Sequence, residues 1–282
     1  MEPGWRHSGK SVTPPITFHP TSGKSVLMKM SDLKKIVVSF STILLTCLAL
    51  ASPVWADDTG TVLVTGANRG LGLEFVKQLK AKGYKVIGTA RSPAKATELK
   101  ATGVQVEQLD VADQASVDAL AAALKGVPVD ILINNAGMAN RADSSLATLD
   151  FAAMERSFQV NSLGPLRVTQ ALLPNLQAGK GKTIVNITSR LGSIELSTGG
   201  LYSYRTSKTA LNQINKIISL ELAKQGFTSI VIHPGWVKTD MGGPDATLNM
   251  PESISGMLEV IGGLTVANTG KFYNYDGTEL PW

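Results

Sequence analysis

Cysteine and histidine are nearly absent from this chain, and their scarcity excludes several kinds of chemistry. The 282 residues include one cysteine, Cys47, and three histidines, of which only His233 lies beyond residue 56. A disulfide framework, a thiol nucleophile and a Cys/His zinc site are therefore excluded from residues 57–282, and we predict no metal. A serine-histidine hydrolase triad would have to use His233. Because this histidine ends a strand-like run, FTSIVIHPG, we predict a structural role for it.

Charged residues are also scarce, at 17% of the chain, while 43% of the residues are hydrophobic. That balance predicts a folded chain with a full core rather than a disordered one. The formal net charge is +5, but residues 1–56 carry six basic and two acidic side chains, a net of +4, which leaves +1 for residues 57–282. Since nucleic-acid binding requires a basic surface, we expect no nucleic-acid partner.

Long apolar runs are missing too, because the longest, 36–50, has only 15 residues and is too short to span a bilayer comfortably. Two lysines precede this run and small residues near Ala56 follow it, which is the pattern of a signal peptide. We predict that residues 1–27 lie upstream of the true start, that 28–56 is a signal peptide, and that 57–282 is a domain with no stable membrane span after cleavage. The protein is then exported, either periplasmic or secreted. The alternatives are a cytoplasmic protein and one anchored by an uncleaved leader.

Short β-branched runs alternate with helical patterns from Asp57 onward. Such alternation predicts βαβ units, and hence a single α/β domain with a Rossmann-type, doubly wound parallel sheet and helices on both faces. The predicted strands are 61–65, 85–90, 104–108, 129–133, 183–188, 227–233 and 270–274.

A glycine-rich turn, GANRGLG, directly follows the first predicted strand and leads into a helical pattern. Backbone at such a turn can approach a pyrophosphate closely, and the helix N-terminus supplies amides and a positive dipole. The strand-turn-helix context therefore predicts a dinucleotide site. The candidate contacts in this turn are Gly66, Asn68, Arg69, Gly70, Leu71 and Gly72.

The end of the second strand distinguishes the two nicotinamide dinucleotides. An acid there binds the adenosine ribose of NAD(H), whereas an arginine accommodates the 2′-phosphate of NADP(H). The chain has Arg91 and Ser92 at this point and no acid, and Arg69 lies in the glycine-rich turn. Because guanidinium groups suit bidentate phosphate contacts, we predict NADP(H) rather than NAD(H). The alternative is that both arginines are solvated loop residues.

Candidate reactive residues lie further along the chain. Tyr204 and Lys208 are four residues apart in a helical segment, which places them on one face, one turn apart. An ammonium close to a phenol favours the phenolate and so suits the pair to proton transfer. Ser189 follows the fifth strand and can donate a hydrogen bond to a carbonyl oxygen as negative charge develops there. Thr188 and Ser193 are the alternatives for that role.

These motifs, in this order, resemble the short-chain dehydrogenase/reductase family. The resemblance rests on T-G-x-x-x-G-x-G at 65–72, N-N-A-G at 134–137 and Y-x-x-x-K at 204–208. The ending and the segments 189–194 and 202–208 are similar to the sniffer and C-factor-like carbonyl reductase branch. This branch implies an NADPH-dependent enzyme that reduces aldehydes, ketones or quinones by hydride transfer.

The resemblance also implies roles for particular residues. Tyr204 is the proton donor, Lys208 holds the cofactor ribose and tunes Tyr204, Ser189 polarises the carbonyl, and Asn161 anchors a proton relay. Asp110 is expected beside the adenine amino group, although an aspartate before a helix is equally a common N-cap. The resemblance implies that Tyr204 and Lys208 also contact the cofactor. The other implied cofactor contacts are Val111, Asn135, Ala136, Gly137, Pro234, Gly235, Val237 and Thr239. The Pro-Gly pair alternatively forms a simple turn.

Three loops, 138–149, 191–201 and 241–251, are expected to build the substrate pocket. Their Met, Leu, Ile and Ala content predicts a small apolar carbonyl substrate. Relatives often pair through helices at about 148–178 and 202–224, which makes a homodimer a possible partner. The alternative function is a cofactor-binding signalling or interaction protein with little turnover. An intact Ser-Tyr-Lys set argues against it, because a pure binder has no evident need for an activated phenol.

Overall fold

Seven parallel strands form the centre of the fold in a computed structural model, which describes residues 59–140 and 143–282. The predicted segments 1–27 and 28–56 lie outside the described residues. Within the two described ranges, no helix is long and apolar enough to cross a membrane. The same ranges contain no cluster of His, Cys, Asp and Glu that could hold a metal ion.

The strands confirm the predicted α/β class, and their ends differ from the predicted ones by at most two residues. Each strand pairs with its neighbours in parallel. The order across the sheet is β3-β2-β1-β4-β5-β6-β7. In chain order the strands are β1 (Thr61–Val64), β2 (Lys85–Ala90), β3 (Gln105–Gln108), β4 (Ile131–Asn134), β5 (Thr183–Ile187), β6 (Thr228–His233) and β7 (Phe272–Asn274).

Helices connect the strands and cover both faces of the sheet. A π-helical segment, Gln159–Leu163, joins the fourth and fifth of them, and short 3-10 turns include Arg190–Gly192. In chain order the helices are α1 (Gly70–Ala81), α2 (Thr97–Ala101), α3 (Gln114–Ala123), α4 (Phe151–Phe158), α5 (Gly164–Ala171), α6 (Leu173–Ala178), α7 (Tyr202–Leu222) and α8 (Met250–Gly262).

The core lies in two layers, one on each face of the sheet, because successive strand residues point to opposite sides. In β1, Val62 and Val64 pack into the layer that includes Phe75 of α1. Leu63 packs into the other layer with Leu120 of α3. All five side chains are at most 2% exposed, and burying each such side chain contributes roughly 1.5–3 kcal/mol.

The strand order reverses direction between β1 and β4, and this reversal positions the functional site. The connections from β1 lead to one side of the sheet and those from β4 to the other. A crevice therefore opens outside the carboxyl ends of these two strands, where open α/β sheets bind their ligands.

One alternative from the sequence is wrong, because Asp110 does not cap α3. The cap is Asp113, whose carboxylate accepts a hydrogen bond from the amide of Ala115 at 3.1 Å. The Asp110 carboxylate instead accepts from the amide of Ala112 at 3.0 Å, which closes a turn ahead of the helix.

Candidate active site

The glycine-rich turn after β1 needs glycine for two different reasons. Gly66 has a φ of +64°, and a Cβ there would lie 2.9 Å from the Cα of Ala136. At Gly72 a Cβ would lie 2.3 Å from the carbonyl oxygen of Gly66. Gly70, with a φ of +56°, is different, because nothing lies within 4 Å of the position its Cβ would take. Two glycines therefore permit close packing, and the third leaves open space at the N-terminus of α1.

Hydrogen bonds join this turn to the end of β4. The hydroxyl of Thr65 accepts from the amides of Asn135 and Ala136, each at 3.0 Å. In return, the Asn135 side chain donates to the carbonyl oxygens of Thr65 and Gly66 at 2.9 and 3.1 Å. The two loops that flank the crevice are thus held together by four hydrogen bonds, which fixes its width.

A cleft of about 860 Å³ runs along this crevice. Its volume lies in the range typical of cofactor sites, roughly 300–1,000 Å³. Two of the predicted cofactor contacts, Gly235 and Val237, do not line it and instead line a neighbouring cavity. The predicted contacts that do line the cleft are Gly66, Asn68, Arg69, Gly70, Leu71, Gly72, Arg91, Asp110, Val111, Asn135, Ala136, Gly137, Tyr204, Lys208, Pro234 and Thr239.

The two arginines of the cleft differ in their pairing. Arg69 forms an exposed ion pair with Asp240 at 2.6 Å, so the loop after β6 reaches across to the glycine-rich turn. Arg91 is exposed at the end of β2 and has no hydrogen bond or ion pair among the described residues. The guanidinium of Arg91 is therefore the more available of the two for a phosphate group.

Helix α7, which carries Tyr204 and Lys208, begins in an unusual way. Its N-cap position is occupied by Leu201, which has a φ of +51° and no side-chain oxygen to accept from the helix amides. The carboxylate of Asp143, from another loop, accepts from the Ser203 amide at 2.7 Å and also from the Ser203 hydroxyl. Asp143 thus caps α7 from a distance, one residue before Tyr204.

Lys208 is the most strongly perturbed cation of the site. It is 5% exposed, and its Nζ donates to the carbonyl oxygen of Ile187 at 2.8 Å. The same Nζ lies 5.9 Å from the centre of the Tyr204 ring. Burial lowers the pKa of Lys208 from 10.5 to about 8. The ammonium is still charged at neutral pH, and it lies beside the phenol as the spacing of the two residues predicts.

The hydrogen bonds of the three candidate hydroxyl groups favour Ser189 over Thr188 and Ser193 as the donor to a ligand. The Thr188 hydroxyl donates to the side-chain oxygen of Asn212 at 2.6 Å, and the Ser193 hydroxyl donates to the carbonyl oxygen of Trp282 at 3.2 Å. The Ser189 hydroxyl accepts from the Leu191 amide at 3.1 Å and has no acceptor for its own proton among the described residues. Of these three hydroxyl groups, that of Ser189 is therefore the one that lacks an acceptor among the described residues and has its proton available for a ligand.

Asn161 lies in the π-helical segment and is completely buried. Its side chain accepts from the Met138 amide at 2.9 Å and donates to the Met138 carbonyl and the Ser207 hydroxyl at 2.9 and 3.0 Å. A Cβ at Gly137 would lie 3.4 Å from its Oδ1 and 3.7 Å from the Nζ of Lys208. Asn161 therefore ties the loop after β4 to helix α7 beside Lys208, and such single π turns are frequent at functional sites.

A second cavity of about 420 Å³ adjoins the cleft. Ser189 lies on its wall, and Tyr204 and Thr188 border both the cavity and the cleft. His233 also lines the cavity, and its Nδ1 is buried with no hydrogen-bond partner among the described residues. The candidate hydroxyl groups therefore lie where the two spaces meet. His233 ends β6 as predicted, but it also lines the site, which the sequence did not indicate.

The sequence that forms this site is similar to that of a known protein family. A family model described as short chain dehydrogenase matches residues 60–247. The chain belongs to the short-chain dehydrogenase family. It is thus an oxidoreductase by family, and the predicted family is confirmed.

Individual short-chain dehydrogenase relatives agree with the predicted branch. The C-signal protein of Myxococcus xanthus is 51% identical over 156 residues, which are 55% of this chain and 93% of that protein. Carbonyl reductase Sniffer of D. melanogaster is 35% identical with a TM-score of 0.75 over 79% of this chain and 99% of the other. An NADPH-bound carbonyl reductase from chicken fatty liver is 35% identical with a TM-score of 0.74 over 79% and 98% of the two chains.

Two acidic residues of this short-chain dehydrogenase site were missed by the sequence analysis. Asp143 caps α7, but it precedes Ser203 by 60 residues. Asp240 pairs with Arg69, which is 171 residues earlier. No local pattern marks either contact, although the absence of a capping side chain at Leu201 was a signal that some other group must serve α7.

Proposed function

We propose that this chain is an NADPH-dependent reductase of small, largely apolar carbonyl compounds. The observation that carries the proposal is the position of Tyr204 and Ser189. Tyr204 borders both the long cleft and the adjoining cavity, and Ser189, on the cavity wall, has an uncommitted hydroxyl proton. A carbonyl group bound at that junction meets both hydroxyls from the cavity side and the cofactor from the cleft side.

The cleft fits a phosphorylated dinucleotide. The space in front of Gly70 is open at the N-terminus of α1, whose first turn holds no acid to repel a pyrophosphate. Arg91 supports NADP(H) over NAD(H), because its unpaired guanidinium stands where the 2′-phosphate is expected. NADPH-bound relatives support the same choice.

The cofactor and the protein have different roles in the proposed reaction. When bound, NADPH supplies the hydride that the carbonyl carbon takes up. Tyr204 donates its phenolic proton to the carbonyl oxygen, so that the carbonyl becomes an alcohol. Ser189 donates a hydrogen bond to the same oxygen, which stabilises the negative charge that develops there. The Leu191 amide donates to the Ser189 oxygen, which occupies one acceptor position of the hydroxyl and leaves its proton for the substrate.

Lys208 and Asn161 prepare the proton donor. The Lys208 ammonium, 5.9 Å from the Tyr204 ring centre, stabilises the phenolate left after proton donation. Asn161 holds the loop that contains Gly137 against helix α7, and we propose that it anchors the relay that returns a proton to Tyr204. Asp143 keeps the first turn of the helix in place.

The test compares NADPH and NADH consumption with a panel of aldehydes, ketones and quinones. Ser189→Ala is expected to lower kcat by about 100-fold, the size found when one oxyanion donor is removed. Ser193→Ala is the matched control, because its hydroxyl donates to Trp282 and not to the cavity. Equal losses in the two variants would contradict the assigned role. Cofactor binding without turnover across the panel would favour the signalling alternative instead.

Two proposals concern the protein as a whole. We propose that residues 28–56 are removed when the protein is exported. The intact mass of the mature protein tests this, since a start at Met1 or Met28 would contradict it.

We also propose that the protein forms a homodimer, which sedimentation at several concentrations tests. A single monomeric species would contradict the second proposal.

A further inference from the structure

The adjoining cavity carries a charge that the apolar character of its loops does not predict. Among the described residues that line it, Arg190 is the only one that is always ionised, and none is acidic. Most of the other lining side chains are apolar, including the half-exposed indole of Trp236. A single positive charge therefore faces a largely apolar space.

The guanidinium of Arg190 has no partner in the part of the chain that the structure describes. No hydrogen bond or ion pair reaches it. By contrast, the exposed side chains of Arg69 and Arg167 are paired, with Asp240 and Gln159 respectively. Arg190 is exposed and lines the cavity, so its unpaired guanidinium retains the capacity to bind a carboxylate through two parallel hydrogen bonds.

The backbone holds Arg190 beside the reactive groups. It directly follows Ser189, and the Ser189 side chain caps the 3-10 turn that begins at Arg190. The turn packs against α7, because a Cβ at Gly192 would lie 2.9 Å from the backbone of Lys208. The backbone of Arg190 is thus fixed beside Ser189, the proposed oxyanion donor.

His233, which also lines the cavity, supports the position of the Arg190 charge near it. Burial, together with the positive charge of Arg190, lowers the pKa of His233 to about 4. The guanidinium therefore lies close enough to the imidazole to act on it, and the imidazole is neutral at physiological pH. Since the neutral ring adds no second charge, Arg190 carries the one charge among the described residues that line this cavity.

We propose that Arg190 forms an anion subsite in this cavity and that the substrate is an apolar carbonyl compound bearing a carboxylate. This inference rests on the proposed reductase function and narrows its substrate class. The carbonyl lies between Ser189 and Tyr204, the apolar body contacts the wall that includes Trp236, and the carboxylate pairs with Arg190.

The turnover experiment uses the full-length protein with two aldehydes of similar shape, 4-carboxybenzaldehyde and its methyl ester. The measured quantity is the ratio of kcat/KM for the acid to that for the ester, with NADPH. Arg190→Gln is expected to lower this ratio at least tenfold, mainly through KM for the acid, and Arg190→Lys is expected to restore part of it. Arg167→Gln, which removes the same charge outside the cavity, is expected to leave the ratio unchanged.

A binding experiment separates this inference from the reductase proposal. Calorimetry measures the binding of 4-(hydroxymethyl)benzoate and of its methyl ester to the wild type and to Arg190→Gln, in the absence of turnover. Acid binding that weakens at least tenfold in the variant supports the subsite, even if no aldehyde is reduced, in which case only the reductase proposal fails. Turnover or binding with an acid-to-ester ratio that is the same in both proteins overturns the subsite and leaves the reductase proposal standing. No binding of the acid to the wild type also overturns it.

Discussion

Replacing Lys208 by methionine is expected to stabilise the fold while it abolishes the reaction. The folded protein lowers the pKa of this lysine from 10.5 to about 8, because the ammonium is buried. That fall corresponds to roughly 3 kcal/mol of unfavourable free energy at neutral pH. Loss of the hydrogen bond to the Ile187 carbonyl leaves a buried acceptor unpaired, which costs about 1–3 kcal/mol in the opposite direction. The net gain at pH 7 is therefore small.

The difference in the free energy of unfolding between Lys208→Met and the wild type depends strongly on pH. A lysine whose pKa is lowered by folding costs the wild type stability as pH falls from 10.5 to about 8, and the full cost is present below 8. The hydrogen-bond contribution does not titrate in the variant. The free energy of unfolding of Lys208→Met, minus that of the wild type, should therefore fall by roughly 3 kcal/mol between pH 7 and pH 10.5.

Urea unfolding of both proteins without cofactor, at half-unit steps across this pH range, measures the difference directly. Lys216→Met is the matched control, because Lys216 lies on the same helix but is only partly buried. Comparison of the two variants separates the effect of full burial from that of removing a lysine from this helix. A flat difference for Lys208→Met would refute the reasoning, since it would mean that the buried ammonium does not cost the fold what its environment implies.

The remaining predictions concern the cofactor cleft and the start of α7. Gly66→Ala should lower stability by about 1–3 kcal/mol and weaken dinucleotide binding, because of its positive φ and the 2.9 Å approach of its Cβ to Ala136; melting and titration calorimetry check both effects. Arg91→Ala should raise the Kd for NADPH by about 10–100-fold and leave that for NADH within about twofold, and equal losses would contradict the phosphate contact. Asp143→Ala should cost about 0.5–2 kcal/mol and lower kcat more than KM rises, whereas Ser203→Ala, which keeps the amide contact, should have a smaller effect on both.

The sheet and the cleft could be predicted from the sequence because their signals are local. β-branched runs define the strands, and the glycine-rich turn directly follows the strand that positions it. The pairing of Tyr204 with Lys208 follows from one turn of helix, so no tertiary information is needed. Asp110 was ambiguous for the opposite reason, since Asp113 stands three residues later and is an equally good cap.

Other parts of the site depend on contacts between distant segments and could not be predicted. The choice among Thr188, Ser189 and Ser193 required knowing that Asn212 and Trp282 take the protons of the two rivals. Those partners come from helix α7 and from the last residue of the chain, and no spacing reveals them.

The charge of the adjoining cavity was hidden in the same way. The loops predicted an apolar space, and the cation among its described lining residues, Arg190, belongs to the short turn after Ser189. In the sequence it is one of eight arginines. It is distinguished by its position on the cavity wall and by the lack of a partner among the described residues.

The central claim is that Tyr204 donates the proton to a carbonyl substrate, and one comparison tests it most directly. Single-turnover oxidation of NADPH with a reducible aldehyde, at saturating NADPH, should be about 10²–10⁴-fold slower in Tyr204→Phe than in the wild type. Tyr202→Phe, two residues earlier on the same helix, should react at nearly the wild-type rate. A Tyr204→Phe variant that turns over as fast as Tyr202→Phe would contradict the account.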